Sequence, residues 1–109
     1  MLPKEQRIPR QMFPLLSRAR VFKNNLFLLR TIPTEESKSR FCFSVSKKIS
    51  KSAVVRNKMR RMGYRFLGKL IPNIKPNILA FISFVSRPKD DQHLSLSLDS
   101  ILRDAKLLN

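Results

Sequence analysis

The chain has 109 residues, 42% of them apolar, which is enough to bury one core and not two. Its 23 Lys and Arg against seven Asp and Glu give a net charge of +16, outside the range of a small soluble domain with no anionic partner, so nucleic acid is the expected ligand. A membrane span is excluded because the longest apolar run, Ile78 to Val85, is strand-length and broken by Ser83; MLPKEQRIPR has no apolar export core; and a lone Cys42 cannot form an internal disulfide.

The expectation is therefore one nucleic-acid-binding domain over 1–109, cytoplasmic, with no membrane partner. Residues 1–8 are polar and proline-punctuated and read as a flexible lead. Pro9 suits the first turn of a short helix through about Ser17, with Pro14 limiting its regularity. Val21 to Ile32 is rich in Phe and Leu, carries Asn24 and Asn25 near its start and is closed by Pro33, which predicts a strand. After a turn over Thr34 to Lys38, Arg40 to Ser46 alternates. Phe41, Phe43 and Val45 take one face and Cys42, Ser44 and Ser46 the other, so one side of the sheet is core and the other can carry a nucleic acid strand.

Lys47 to Arg65, KKISKSAVVRNKMRRMGYR, reads as one strongly basic helix. Val55, Met59, Met62, Phe66 and Leu70 recur at three- and four-residue steps and form its buried stripe. Beside them stand Arg56 with Arg60, and Asn57 with Arg61 and Arg65, at helical spacing. Like charges in these rows repel by a few tenths of a kcal/mol per pair, and no Asp or Glu occurs between Ser37 and Lys89 to offset them. A solvated face usually mixes signs, so this one calls for an external polyanion. Gly63 and Gly68, both in this helix, permit close approach of RNA backbone or of the sheet, or are simply tolerated.

Pro72 and Pro76 end the helix near Ile71. Asn77 to Val85 is apolar almost throughout, as in a central strand covered on both faces. Asp90 and Asp91 cap a last helix with a stripe of Leu94, Leu98, Ile101, Leu102, Ala105 and Leu108. Catalytic chemistry is not supplied: the only histidine, His93, reads as a capping or exposed residue, no Cys or His spacing fits a metal, and the acid pairs in turns read as solvated.

SVSKK followed by AVVRNKMRR resembles the signature of the bacterial ribonuclease P protein subunit family, and the order of elements around it follows that family over nearly all the chain. The resemblance implies a two-layer α/β sandwich, order α-β-β-(β)-α-β-α. Its small mixed sheet would have a left-handed βαβ crossover helix, as in the second domain of ribosomal protein S5. It implies a protein cofactor of an endoribonuclease whose large RNA cleaves the 5′ leader from precursor tRNA with Mg2+, the protein itself holding no cofactor and needing no obligate protein partner. Carried over by position, Lys47, Lys48, Arg56, Asn57, Arg60 and Arg61 contact the catalytic RNA, with Lys51 and Arg65 as basic neighbours. A second surface, a cleft between the N-terminal helix and the sheet, takes the leader through Phe13, with Phe27 as a strand contributor. Three departures stand out: Tyr64 where the family usually has Arg, with Arg65 where an acid is common; Ser17 where a second aromatic is usual; and Pro14 inside the first helix. A ribosomal or ribosome-associated RNA-binding protein is the alternative on charge and size, and a DNA-binding regulator a more distant one.

Overall fold

A computed structural model describes residues 7–8 and 10–108. Most of the stretch expected to be flexible, residues 1–6, lies outside the described residues, as does Pro9. Among the described residues the first helix is a 3₁₀ helix, Arg10–Arg18, with Pro14 inside it; a proline has no N–H to give to an α-helical ladder, and the Ser17 hydroxyl donates to the Pro14 carbonyl at 3.3 Å. There follow β1 (Arg20–Lys23), β2 (Phe27–Pro33), β3 (Arg40–Val45), α1 (Ala53–Leu70), β4 (Ile78–Phe84) and α2 (Asp91–Asp104).

The strand expected over Val21 to Ile32 is two strands. The Asn24 side-chain oxygen accepts from the Leu26 and Phe27 amides at 2.9 and 2.8 Å, which turns the chain into an antiparallel β1–β2 hairpin. The same side chain donates to the Ser97 carbonyl, tying the hairpin to α2.

The four strands are ordered β1-β2-β4-β3, with β2 antiparallel to β4 and β3 parallel to it, so α1 is the crossover between the two parallel strands. β4 is central, as its apolar run predicts. Period-two alternation divides the sheet into two faces. Phe27, Leu29, Phe41, Phe43, Val45, Ala80, Ile82 and Phe84 face both α-helices and make the main core with Met59, Leu67, Leu94, Leu98, Ile101 and Leu102. On the opposite face Ile32, Leu79 and Phe81 pack with Ile8, Met12 and Cys42 beneath the 3₁₀ helix.

Two boundaries differ from the sequence reading. The basic helix begins at Ala53, with the Ser52 hydroxyl accepting from the Val55 amide, so Lys47, Lys48 and Lys51 belong to the loop that leads into it. α2 ends at Asp104, because Lys106 takes a left-handed backbone (φ 60°) and turns Leu107 and Leu108 out of the helix to pair beside Ile74 and Lys75. At its start, Asp90 accepts from the His93 amide at 2.7 Å while His93 Nδ1 accepts from the Lys89 amide at 2.9 Å, a reciprocal cap. No helix among the described residues is long and apolar enough to cross a membrane.

Candidate nucleic-acid interface

The buried side of α1 is Met59, Gly63 and Leu67, with Val55, Met62, Phe66 and Leu70 only partly covered. At about 100° per residue this centre is rotated roughly 60° from the predicted stripe. The cause is Gly63: an added Cβ there would stand 2.9 to 3.0 Å from the Phe43 ring, so the helix lies closer to the sheet than a side chain would allow. Gly68 meets nothing within 4 Å. Docked this way, α1 presents Asn57, Arg60, Arg61 and Tyr64 to one side.

Those four residues border a cleft of about 820 Å³ whose far wall is Arg7, Ile8 and Phe13. The N-terminal segment reaches it because Arg7 pairs in parallel with Phe41 on the outer edge of β3. The sequence reading had two separate surfaces, one for each RNA; Phe13 and the Arg-Asn helix instead face each other across this one cleft. Phe13 is 37% exposed and packs edge-on against Phe81, centroids 5.6 Å apart, which fixes the ring while leaving surface to the cleft. Asn57 Oδ1 accepts from the Arg60 guanidinium, so the asparagine orients an arginine. The described residues lining the cleft include three arginines and no acid.

Tyr64, the departure from the family pattern, points to the edge strand. Its hydroxyl accepts from the Phe43 amide at 3.0 Å and its ring meets Phe43 edge-on at 5.0 Å. Burial pushes its phenol above the ordinary value, opposed by the Phe43 hydrogen bond. Burial likewise raises the Cys42 thiol beside it, against the lowering effects of the Tyr64 hydroxyl and Arg60, so the cysteine is protonated at neutral pH and packs as an apolar residue.

The other expected site residues are dispersed. Lys47, Lys48 and Lys51 are exposed on the loop before α1, and Arg56 is tied to that loop through the Ser50 carbonyl at 2.9 Å. Arg65 lies on the far side of α1, paired with Asp91 at 3.0 Å. Phe27 requires a correction: it is fully buried on the helix-facing side of β2, its ring 4.9 Å from Phe84 and 6.2 Å from Phe43, and it has no surface to offer a base. Sequence reasoning missed Arg7 and Tyr64 as walls of the cleft. Nothing local marks Arg7, whose place depends on the pairing with β3. Tyr64 carries a signal, since it lies seven residues after Asn57 and so on the same side of the helix.

The family model for ribonuclease P matches residues 2–106. The chain belongs to the ribonuclease P protein family. It is similar to the ribonuclease P protein component of Picosynechococcus sp., at 27% identity with 99% of this chain and 97% of the relative covered. That of Rippkaea orientalis is 28% identical, with 98% and 91% covered. Among solved structures, the RNase P protein of Staphylococcus aureus superposes with a TM-score of 0.83 at 24% identity, covering 95% of this chain and 98% of that one. The Thermotoga maritima RNase P protein gives 0.71 at 18%, covering 91% and 93%. The mixed α+β fold is thus that of RNase P proteins.

Proposed function

We propose that this chain is the protein subunit of a cytoplasmic ribonuclease P, binding the catalytic RNA and the 5′ leader of precursor tRNA and assisting endonucleolytic removal of the leader. The observation that carries the reading is the cleft, where Asn57, Arg60 and Arg61 on α1 face Phe13 across a space in which no described lining residue is an acid. Guanidinium forks suit phosphate oxygens, and a fixed aromatic ring suits an unpaired base, with stacking typically worth about 1 to 3 kcal/mol per base. The leader passes through the cleft against Phe13. Arg60 and Arg61 on the α1 wall of the same cleft, with Arg56 and the loop residues Lys47, Lys48 and Lys51, hold the catalytic RNA beside the leader. Tyr64 keeps α1 registered to β3 and gives the cleft a second aromatic wall where Ser17 provides none.

Bond cleavage is assigned to the RNA. No group of three or more His, Cys, Asp or Glu among the described residues could hold a metal ion. The protein's part is to bind and position.

Reconstitution tests this: the protein, a bacterial ribonuclease P RNA and a precursor tRNA are combined at low magnesium. Correct 5′ cleavage should rise, and no rise would sink the proposal. Arg60→Ala should weaken binding to the catalytic RNA, whereas Phe13→Ala should chiefly lower the preference for leader-bearing substrate over mature tRNA.

A further inference from the structure

α1 has three sides. Met59, Gly63 and Leu67 face the sheet and Asn57, Arg60 and Arg61 face the cleft; Val55, Lys58, Met62 and Arg65 occupy the third. On that side the helix and the loop from β4 to α2 enclose a groove of about 490 Å³. Its floor is apolar, formed by Val55, Met62 and Pro88 over the buried Met59. Its rim carries Lys58 and Arg65 from the helix and Arg87 and Lys89 from the loop.

The two rim arginines are set in place by the fold. Arg87 donates to the Ile49 carbonyl at 3.2 Å, and Arg65 is steadied by Asp91. Asp90, the other acid of the groove, is engaged as the cap of α2. Among the described residues lining the groove, four cations thus outnumber two acids that are each already in use. Cations ringing an apolar floor match a ligand with an anionic backbone and a flat, poorly hydrated body, which describes an unpaired nucleotide.

We propose that this groove takes an unpaired nucleotide of the catalytic RNA, phosphate to the rim and base to the floor. This inference rests on the reading that the protein binds that RNA. The leader is not the occupant, because the groove and the cleft are separated by the body of a helix roughly 10 to 12 Å across. The catalytic RNA, held by the loop lysines and by Arg60 and Arg61, continues over the helix into the groove, so α1 is gripped from both sides.

The test compares two double variants of equal net charge for binding to ribonuclease P RNA without substrate, over a salt series. Lys58→Gln/Lys89→Gln removes two rim cations without touching a side chain that the fold uses; Lys23→Gln/Lys106→Gln removes two exposed lysines elsewhere. The groove pair should lose roughly tenfold in affinity and reduce the salt slope by about 1.4 to 1.8, at 0.7 to 0.9 per lost phosphate contact, with a clearly smaller change for the control pair. Equal losses from both pairs would mean only long-range attraction, and would overturn the groove. Arg60→Ala is measured alongside: if it weakens binding while the groove pair does not, the groove alone is refuted, and if neither does, the RNA-binding role of α1 falls with it. A photo-crosslinker on Lys89→Cys in a Cys42→Ser background should attach to the catalytic RNA; attachment confined to precursor tRNA would also overturn the assignment.

Discussion

Tyr64 replaces a point charge with a clamp. An arginine at this place would extend towards RNA, whereas the tyrosine spends its hydroxyl on the Phe43 amide and its ring on the Phe43 ring, so it holds the outer strand to the helix that carries the arginines. Tyr64→Phe keeps the ring and removes the acceptor, leaving the Phe43 amide without a partner, at a cost of about 1 kcal/mol, reduced by the water that reaches this half-buried site. The same variant carries a pH signature. Burial raises the phenol in the folded protein, so its contribution to stability is fully present below the ordinary tyrosine value of about 10 and is lost as pH rises through the folded one. Urea denaturation of both proteins from pH 7 to about pH 11 should show a steeper alkaline decline for the parent than for Tyr64→Phe. Parallel declines would mean that the phenol is not protected. The two phenylalanines of the leader reading also separate at this scale. Arg30 carries the signal that Phe27 is core: three residues apart on one strand, the two must face opposite sides, and the charged residue claims the open one.

Helix α1 shows how much of the site the sequence discloses. Its existence, its end near Ile71, its arginine rows and its position between two parallel strands follow from periodicity, proline punctuation and the family signature, whereas its start at Ala53 does not, because Lys47 to Ser52 read as part of the helix. Its rotation does not, because a glycine carries no hydropathy signal and the deciding contact, Gly63 against Phe43, joins residues 20 apart in the chain. The β1–β2 turn is concealed for a related reason: Asn24 acts through bonds to the Leu26 and Phe27 amides, and the apolar run around it masks the break. The rotation leads to a paired prediction. Gly63→Ala forces a methyl group into a ring held by Phe27, Phe84 and Tyr64, and should destabilise the protein by about 1 to 3 kcal/mol. Gly68→Ala meets open space in a helix interior and should stabilise it by up to about 1 kcal/mol. Chemical denaturation gives both values, and a shared sign would contradict the docking of α1 on Phe43.

For the molecule as a whole, a charge of +16 leaves 23 Lys and Arg facing only seven Asp and Glu. Among the described residues, Asp91 pairs with Arg65 and Asp99 with Arg103 at the surface, where each contributes little, and Glu36 pairs with Arg40 in a partly buried site. Anions that settle on the uncompensated arginines favour the folded form by mass action. Adding sulfate should therefore raise the melting temperature well beyond what sodium chloride of equal ionic strength achieves, and replacing Arg60 and Arg61 with Gln should reduce that difference; thermal denaturation followed by circular dichroism measures both. Equal shifts from the two salts would indicate general screening alone. The pairing of Arg7 with Phe41 bears on a different hazard. A sheet edge with free amides is a template on which another strand can add, and β3 is such an edge, covered by Arg7 at one point and by the Tyr64 hydroxyl at another. The segment that shapes the cleft is thus also a guard against self-association: whatever lifts it away to admit a bulkier ligand uncovers the strand beneath.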